Sequence, residues 1–117
     1  CIRDRGGNTG QRLSTSNASN HGDIGSNAVD LSYSAASSST LGATGNYSTA
    51  MGLQTTASGY ASTAMGADTV ASGMMSTAMG FLTTASDYSS LVIGRFNSLG
   101  STVTNSADQF NIENTDG

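Results

Sequence analysis

The sequence predicts an all-β fold, a parallel β-roll or solenoid built from 14-residue coils, and three observations carry that reading. One 14-residue sentence is written four times: NYSTAMGLQTTASG (46–59), YASTAMGADTVASG (60–73), MMSTAMGFLTTASD (74–87) and YSSLVIGRFNSLGS (88–101). Three columns recur at that interval: Gly52, Gly66, Gly80 and Gly94; Met51, Met65, Met79 and Ile93; Ala57, Ala71, Ala85 and Leu99. A fixed period with fixed apolar columns is the mark of stacked coils. The pattern is also not helical. Apolar residues do not recur at i, i+3, i+4 and i+7, every copy carries a Gly, which costs ~1 kcal/mol inside a helix, and helical solenoid repeats need more than about 30 residues.

Composition narrows the class further. The chain has 117 residues, no Trp, no Pro and only 10% charged side chains. It would pass for a flexible Ser/Gly linker, but a linker has no reason to return an apolar residue at a constant interval. Eight acids face four arginines (Arg3, Arg5, Arg12 and Arg95), with no basic patch, so nucleic acid is not an expected partner. No apolar run approaches the ~20 residues that span a bilayer, so no membrane insertion is expected within this segment. Cys1 is the single cysteine and offers neither a disulfide framework nor a thiolate metal site. It reads as an edge inside a longer product, the alternative being the lipidated first residue of a lipoprotein.

Residues 1–22 are polar and Gly/Asn-rich and read as an irregular lead-in or degenerate coils, with His21 a solvated loop histidine. Residues 23–34 place Val29, Leu31 and Tyr33 at alternate positions, which is strand spacing. Residues 32–45 then fit as a worn first copy, matching Tyr33 to Tyr47, Ala36 to Ala50, Ala43 to Ala57 and Gly45 to Gly59, for five coils within 23–101. Each coil suits two short strands and two tight turns, with Gly52, Gly66, Gly80 and Gly94 supplying turn conformations. Residues 102–117 leave the repeat, with Phe110 and Ile112 alternating across an exit strand.

Within a coil, Thr49 and Met51 share one face of the first strand while Ser48 and Ala50 share the other. The last copy puts Leu91 and Ile93 on the first face and Val92 on the second, so both faces accept aliphatics, as in a strand covered on both sides. The second strand turns Thr55 and Ala57 one way and Thr56 and Ser58 the other, making the wall that faces water. Burial at ~25 cal/mol per Å² must offset ~1–2 kcal/mol of backbone entropy per residue. A lone thin roll is marginal on those terms, and obligate oligomerisation is the economical expectation.

The repeated STAMG (48–52, 62–66, 76–80) and SLVIG (90–94) resemble the Ser-Val-Ala-Ile-Gly type motif of the YadA-like heads of trimeric autotransporter adhesins. The resemblance covers 32–101 well and 23–31 weakly. It implies left-handed parallel β-rolls, three chains associated in parallel as an intertwined or side-by-side homotrimer, and the STAMG-type strands near the threefold axis. It implies that Thr49, Thr63, Thr77 and Leu91, with Met51, Met65, Met79 and Ile93, point into each chain's own core. Ala50, Ala64, Ala78 and Val92 would then face the neighbouring chains, and the strands around Ala57, Ala71 and Ala85 would present Thr and Ser to solvent. The implied role is adhesion by an extracellular head, attached to the outer membrane through regions outside this chain, for a matrix or cell-surface ligand. Met and Thr often stand where the family prefers Ile or Val, and no heptad stalk or barrel anchor occurs in these residues.

Catalytic patterns are not found: no phosphate loop, no Ser/His/Asp elbow, no paired carboxylates, and no calcium-binding nonapeptide. No enzyme activity, cofactor or metal is expected, and the methionines read as packing residues because Ile93 shares their column. Two other readings stand beside adhesion. A phage tail-fibre segment would bind a receptor from a virion, and a flat array of Thr55, Thr69 and Thr83 with Thr56 and Thr84 would bind ice.

Overall fold

The computed structural model describes residues 2–3, 9–13, 17–95 and 98–99. In chain order these form β1 (Ile2–Arg3), β2 (Thr9–Arg12), a 3-10 turn at Ala18–Asn20, β3 (Val29–Tyr33), β4 (Gly42–Ala43), β5 (Thr49–Leu53) and β6 (Thr56–Ala57). They continue with β7 (Thr63–Ala67), β8 (Val70–Ala71), β9 (Thr77–Phe81), β10 (Thr84–Ala85), β11 (Leu91–Arg95) and β12 (Ser98–Leu99). Two sheets result, ordered β1-β2-β3-β5-β7-β9-β11 and β12-β10-β8-β6-β4. All the described pairings are parallel except that of β1 with β2. The chain is therefore a β-solenoid of about 6 turns. The sheet already begins at β2, whose Gln11 and Arg12 pair with Val29 and Asp30, inside the stretch expected to be an irregular lead-in or degenerate coils.

The 14-residue coil sets what fits inside it. At about 3.3 Å per residue its perimeter is about 46 Å, and two sides as long as a five-residue strand leave only about 6 Å for each turn. Small side chains fill so shallow a space. Ala50, Ala64 and Ala78 from the long strands and Ala57, Ala71 and Ala85 from the short ones are fully buried, with Thr55, Thr69 and Thr83 beside them. The Ser of the STAMG motif also points inward. The hydroxyls of Ser48, Ser62 and Ser76 donate to the carbonyls of Gly45, Gly59 and Gly73 at 2.6, 2.8 and 2.7 Å. Each of those carbonyls also accepts the same serine's amide at 3.2 Å, which closes the turn.

The glycine column does something other than turn the chain. Gly52, Gly66, Gly80 and Gly94 lie inside β5, β7, β9 and β11 with φ of 115 to 134°, and a Cβ on any of the first three would strike the carbonyl of the next glycine in the column. They let successive coils stack at strand spacing. The turns themselves carry left-handed residues that are not glycine: Tyr47, Ala61, Met75 and Ser89 before the long strands, and Gln54, Asp68 and Leu82 after them, with φ between 53 and 59°. Such a conformation costs an L-residue roughly 1–2 kcal/mol. Inter-coil bonds offset that cost, since the amide of Met75 donates to Tyr60 O at 2.7 Å and that of Asp68 to Leu53 O at 2.9 Å.

Two coils are wider than the rest, the first of them pairing Gln11 with Val29 across 18 residues. In the second, Leu31 pairs with Met51, a separation of 20 residues, whereas Met51 pairs with Met65 at 14. Ala43 pairs with Ala57 as the repeat alignment expects, but Tyr33 pairs with Leu53 and Ala36 belongs to no strand. A buried ion cluster lies at this place in the roll. Asp30, fully buried, stands in the column that Ala50 continues, and Arg12 stands below it. Arg12 donates from Nε to Asp30 Oδ2 at 3.1 Å and from Nη2 to Gly22 O at 2.9 Å. Ser32 donates its amide and hydroxyl to Asp30 Oδ1, and His21, only 1% exposed, sets Nδ1 3.2 Å from Asp30 Oδ2. Gly42 completes the enclosure, because a Cβ there would strike Asp30 Oδ2. His21 is thus not the solvated loop residue expected. The pairing of Asp30 with Arg12 and the amide and hydroxyl donors of Ser32 make its burial tolerable.

Burial lowers the His21 pKa from its ordinary 6.5; Arg12 pushes the same way, and the charge and hydrogen bond of Asp30 oppose. A lowered pKa means the unfolded chain takes up a proton that the fold resists. The associated stability is present above about pH 6.5 and is lost as pH falls below it. The denaturation midpoint should therefore drop between about pH 8 and about pH 5, and His21→Asn should flatten that part of the profile. An unchanged slope would show that His21 is not the titrating group. For the glycine column, Gly66→Ala should cost about 1–3 kcal/mol, read as a lower urea midpoint, while Ser72→Ala on the exposed wall should leave the midpoint in place.

Candidate interaction surface

The outward positions of the long strands form three parallel columns. Thr49, Thr63, Thr77 and Leu91 make the first, Leu31, Met51, Met65, Met79 and Ile93 the second, and Tyr33, Leu53, Ala67, Phe81 and Arg95 the third. Leu31 and Leu53 are each 42% exposed, Phe81 40% and Leu91 54%, while the methionines and Ile93 are half-buried. The expected assignment of faces is therefore inverted. Thr49, Thr63, Thr77, Leu91, Met51, Met65, Met79 and Ile93 lie on the outside of the roll, and Ala50, Ala64, Ala78 and Val92 fill its own interior at 0–3% exposure. The physical reason is depth. A 14-residue coil is too shallow to enclose Met or Leu on its inner face, and Ala, Ser, Thr and Val stack there from coil to coil.

Turn residues extend this outer face. Tyr47, Tyr60, Met74, Met75 and Tyr88 are all exposed along the turns that precede the long strands, and the rings of Tyr47 and Tyr60 meet edge to face at 5.4 Å between centroids. Motif reading passes over these residues because they vary from copy to copy. Their signal is position, since they always fall one or two residues before the motif serine. An exposed, contiguous apolar surface of this kind marks an interaction site.

The opposite wall, β4, β6, β8 and β10, is polar. Ala57, Ala71 and Ala85 point inward and are fully buried, while Ser58, Ser72 and Ser86 are exposed and Thr84 is half-exposed. Thr55, Thr69 and Thr83 are fully buried. They cannot present the flat threonine array that ice binding requires. The side chain of Leu99, Cys1, and the exit segment with Phe110 and Ile112 lie outside the described residues.

Ser32, His21 and Asp30 assemble the residue types of a hydrolytic triad but not its geometry. The same histidine nitrogen, Nδ1, faces both Asp30 Oδ2 at 3.2 Å and Ser32 Oγ at 3.5 Å, so no second nitrogen is aimed at the hydroxyl as a base. The cluster is a buried structural core. Among the described residues, no group of three His, Cys, Asp or Glu side chains is placed to share a metal.

Comparison with known proteins agrees with the coil geometry. Residues 43–69 and 71–97 match the YadA head domain repeat in two successive copies, which together span the four narrow coils. No curated protein and no solved structure matches the chain.

Proposed function

We propose that this chain, whose residues 43–69 and 71–97 are YadA head repeats, is the head segment of a homotrimeric bacterial surface adhesin. The YadA head family is an adhesin family that forms trimers and is not enzymatic. One observation supports extending that state to this chain: the outer face of the long-strand sheet carries Leu31, Leu53, Phe81 and Leu91 exposed and Met51, Met65, Met79 and Ile93 half-buried, while small side chains fill the interior. Three rolls standing in parallel cover this face with one another, each strand meeting equivalent columns on its neighbours. The contact columns are then Thr49, Thr63, Thr77 and Leu91 with Met51, Met65, Met79 and Ile93, in place of the alanine column. The short-strand walls, with Ser58, Ser72 and Thr84, remain outward as a repetitive polar surface. Such a surface holds an extracellular matrix or cell-surface ligand through many similar contacts, and multivalent display of three walls raises its avidity.

Two measurements test the proposal. Light scattering on the purified chain should give three times the chain mass. Met65→Arg, which buries a charge at the contact, should shift it to the mass of one chain, and Ser58→Arg on the outer wall should leave the trimer intact. Ala64→Arg should fail to fold, because that position is interior. A folded monomer from the unmodified chain would sink the trimer. For adhesion, beads coated with the chain should adhere to matrix-protein or cell layers more than albumin-coated beads do, and equal adhesion on every surface would rule out this role.

A further inference from the structure

None of the five methionines of this chain lies in its core. Met51, Met65 and Met79 are half-buried in one column of the outer sheet face, paired in register, and Met74 and Met75 are 48% and 44% exposed at the adjoining turn. The same column holds Leu31 at one end and Ile93 at the other, so the position accepts a sulfur-free aliphatic side chain. The three thioethers stand one strand spacing apart, about 4.8 Å, between a threonine column and the Leu53–Phe81 column. They are reachable on a single roll.

We propose that this methionine column is an oxidation site that controls assembly: its sulfoxides block the contact between chains. This rests on the reading of the long-strand face as that contact. Hydrogen peroxide supplies the oxidant. Its O–O bond breaks, one oxygen bonds to the thioether sulfur, which is oxidised to the sulfoxide, and the peroxide is reduced to water. The product is a strongly polar acceptor in the middle of an apolar strip. Water satisfies it on a lone roll, whereas burial against a neighbouring chain removes that water and leaves the acceptor short of donors. Three sulfoxides in register repeat the effect along the whole contact. The interior is untouched, because alanine and threonine fill it, so the oxidised roll keeps its fold while losing its partners. In the assembled trimer the column is covered, which protects it and makes the order of events matter.

The experiment uses the full chain. Dissociated in denaturant, treated with hydrogen peroxide until mass spectrometry shows sulfoxide at Met51, Met65 and Met79, and returned to buffer, it should run at the mass of one chain with its β circular dichroism retained. Reduction by the two methionine sulfoxide reductases should restore the trimer. The variant Met51→Leu/Met65→Leu/Met79→Leu should assemble despite the same treatment, while Met74→Leu/Met75→Leu should remain sensitive. A trimer that persists with all three positions fully oxidised overturns the inference and leaves the contact reading standing. Equal sensitivity of the triple leucine variant also overturns it. A folded monomer before any peroxide overturns the contact reading itself, and the inference with it.

Discussion

Backbone hydrogen bonds between successive coils hold this chain to one rise per coil, about 4.8 Å, and each residue sits directly above its counterpart one repeat earlier. That constraint makes columns, not individual side chains, the units of the structure. A glycine at position 52 is useful only because Gly66 and Gly80 follow it, since a Cβ in any of these coils meets the backbone of the next. The left-handed turn residues obey the same rule. Tyr47, Met75 and Leu82 would be poor choices in isolated turns, yet each donates its amide to a carbonyl in the preceding coil or turn below it. The serine staple at Ser48, Ser62 and Ser76 then closes the turns before β5, β7 and β9 in the same way.

The architecture was open to reading because stacking writes itself into the sequence as a period. The 14-residue interval, the strand at Val29–Tyr33 and the pairing of Ala43 with Ala57 all appear in the sheet register. The facing of the strands was not. The family resemblance implies that Met51 and Leu91 belong inside and Ala50 outside, as large apolar side chains do in a deep core. A 14-residue coil is too shallow for it. Perimeter decides the question, and perimeter becomes an argument only when the two strands are laid opposite one another. The same geometry carries Thr55, Thr69 and Thr83 inward and removes a surface that their spacing alone suggests.

Two further features escaped the sequence for different reasons. The buried Arg12–Asp30–His21 cluster joins residues from separate coils, and no local pattern announces that an aspartate will occupy an alanine column. A constant period places Ala43 against Ala57 but misplaces Tyr33 and Ala36, because the six additional residues of the coil that holds Asp30 lie between Tyr33 and Ala43. The exposed tyrosines and methionines at the turns were passed over because motif reading looks for sameness. They vary in identity while keeping their place, as a surface shaped by contact does.

The widest coil also bears on how neighbours align. Identical coils give a stack no landmark. In the parallel assembly proposed above, one chain could slip along another by a single rise and meet nearly the same columns again, much as a ruler with unnumbered marks can be misread by one division. The coil that holds Asp30 breaks this translational degeneracy. A neighbour displaced by one rise would set its 20-residue coil against a 14-residue one, and its loop at 34–41 would lose its counterpart. The coil around a hidden charge cluster can in this way number the marks, setting the registry of a surface the cluster never touches.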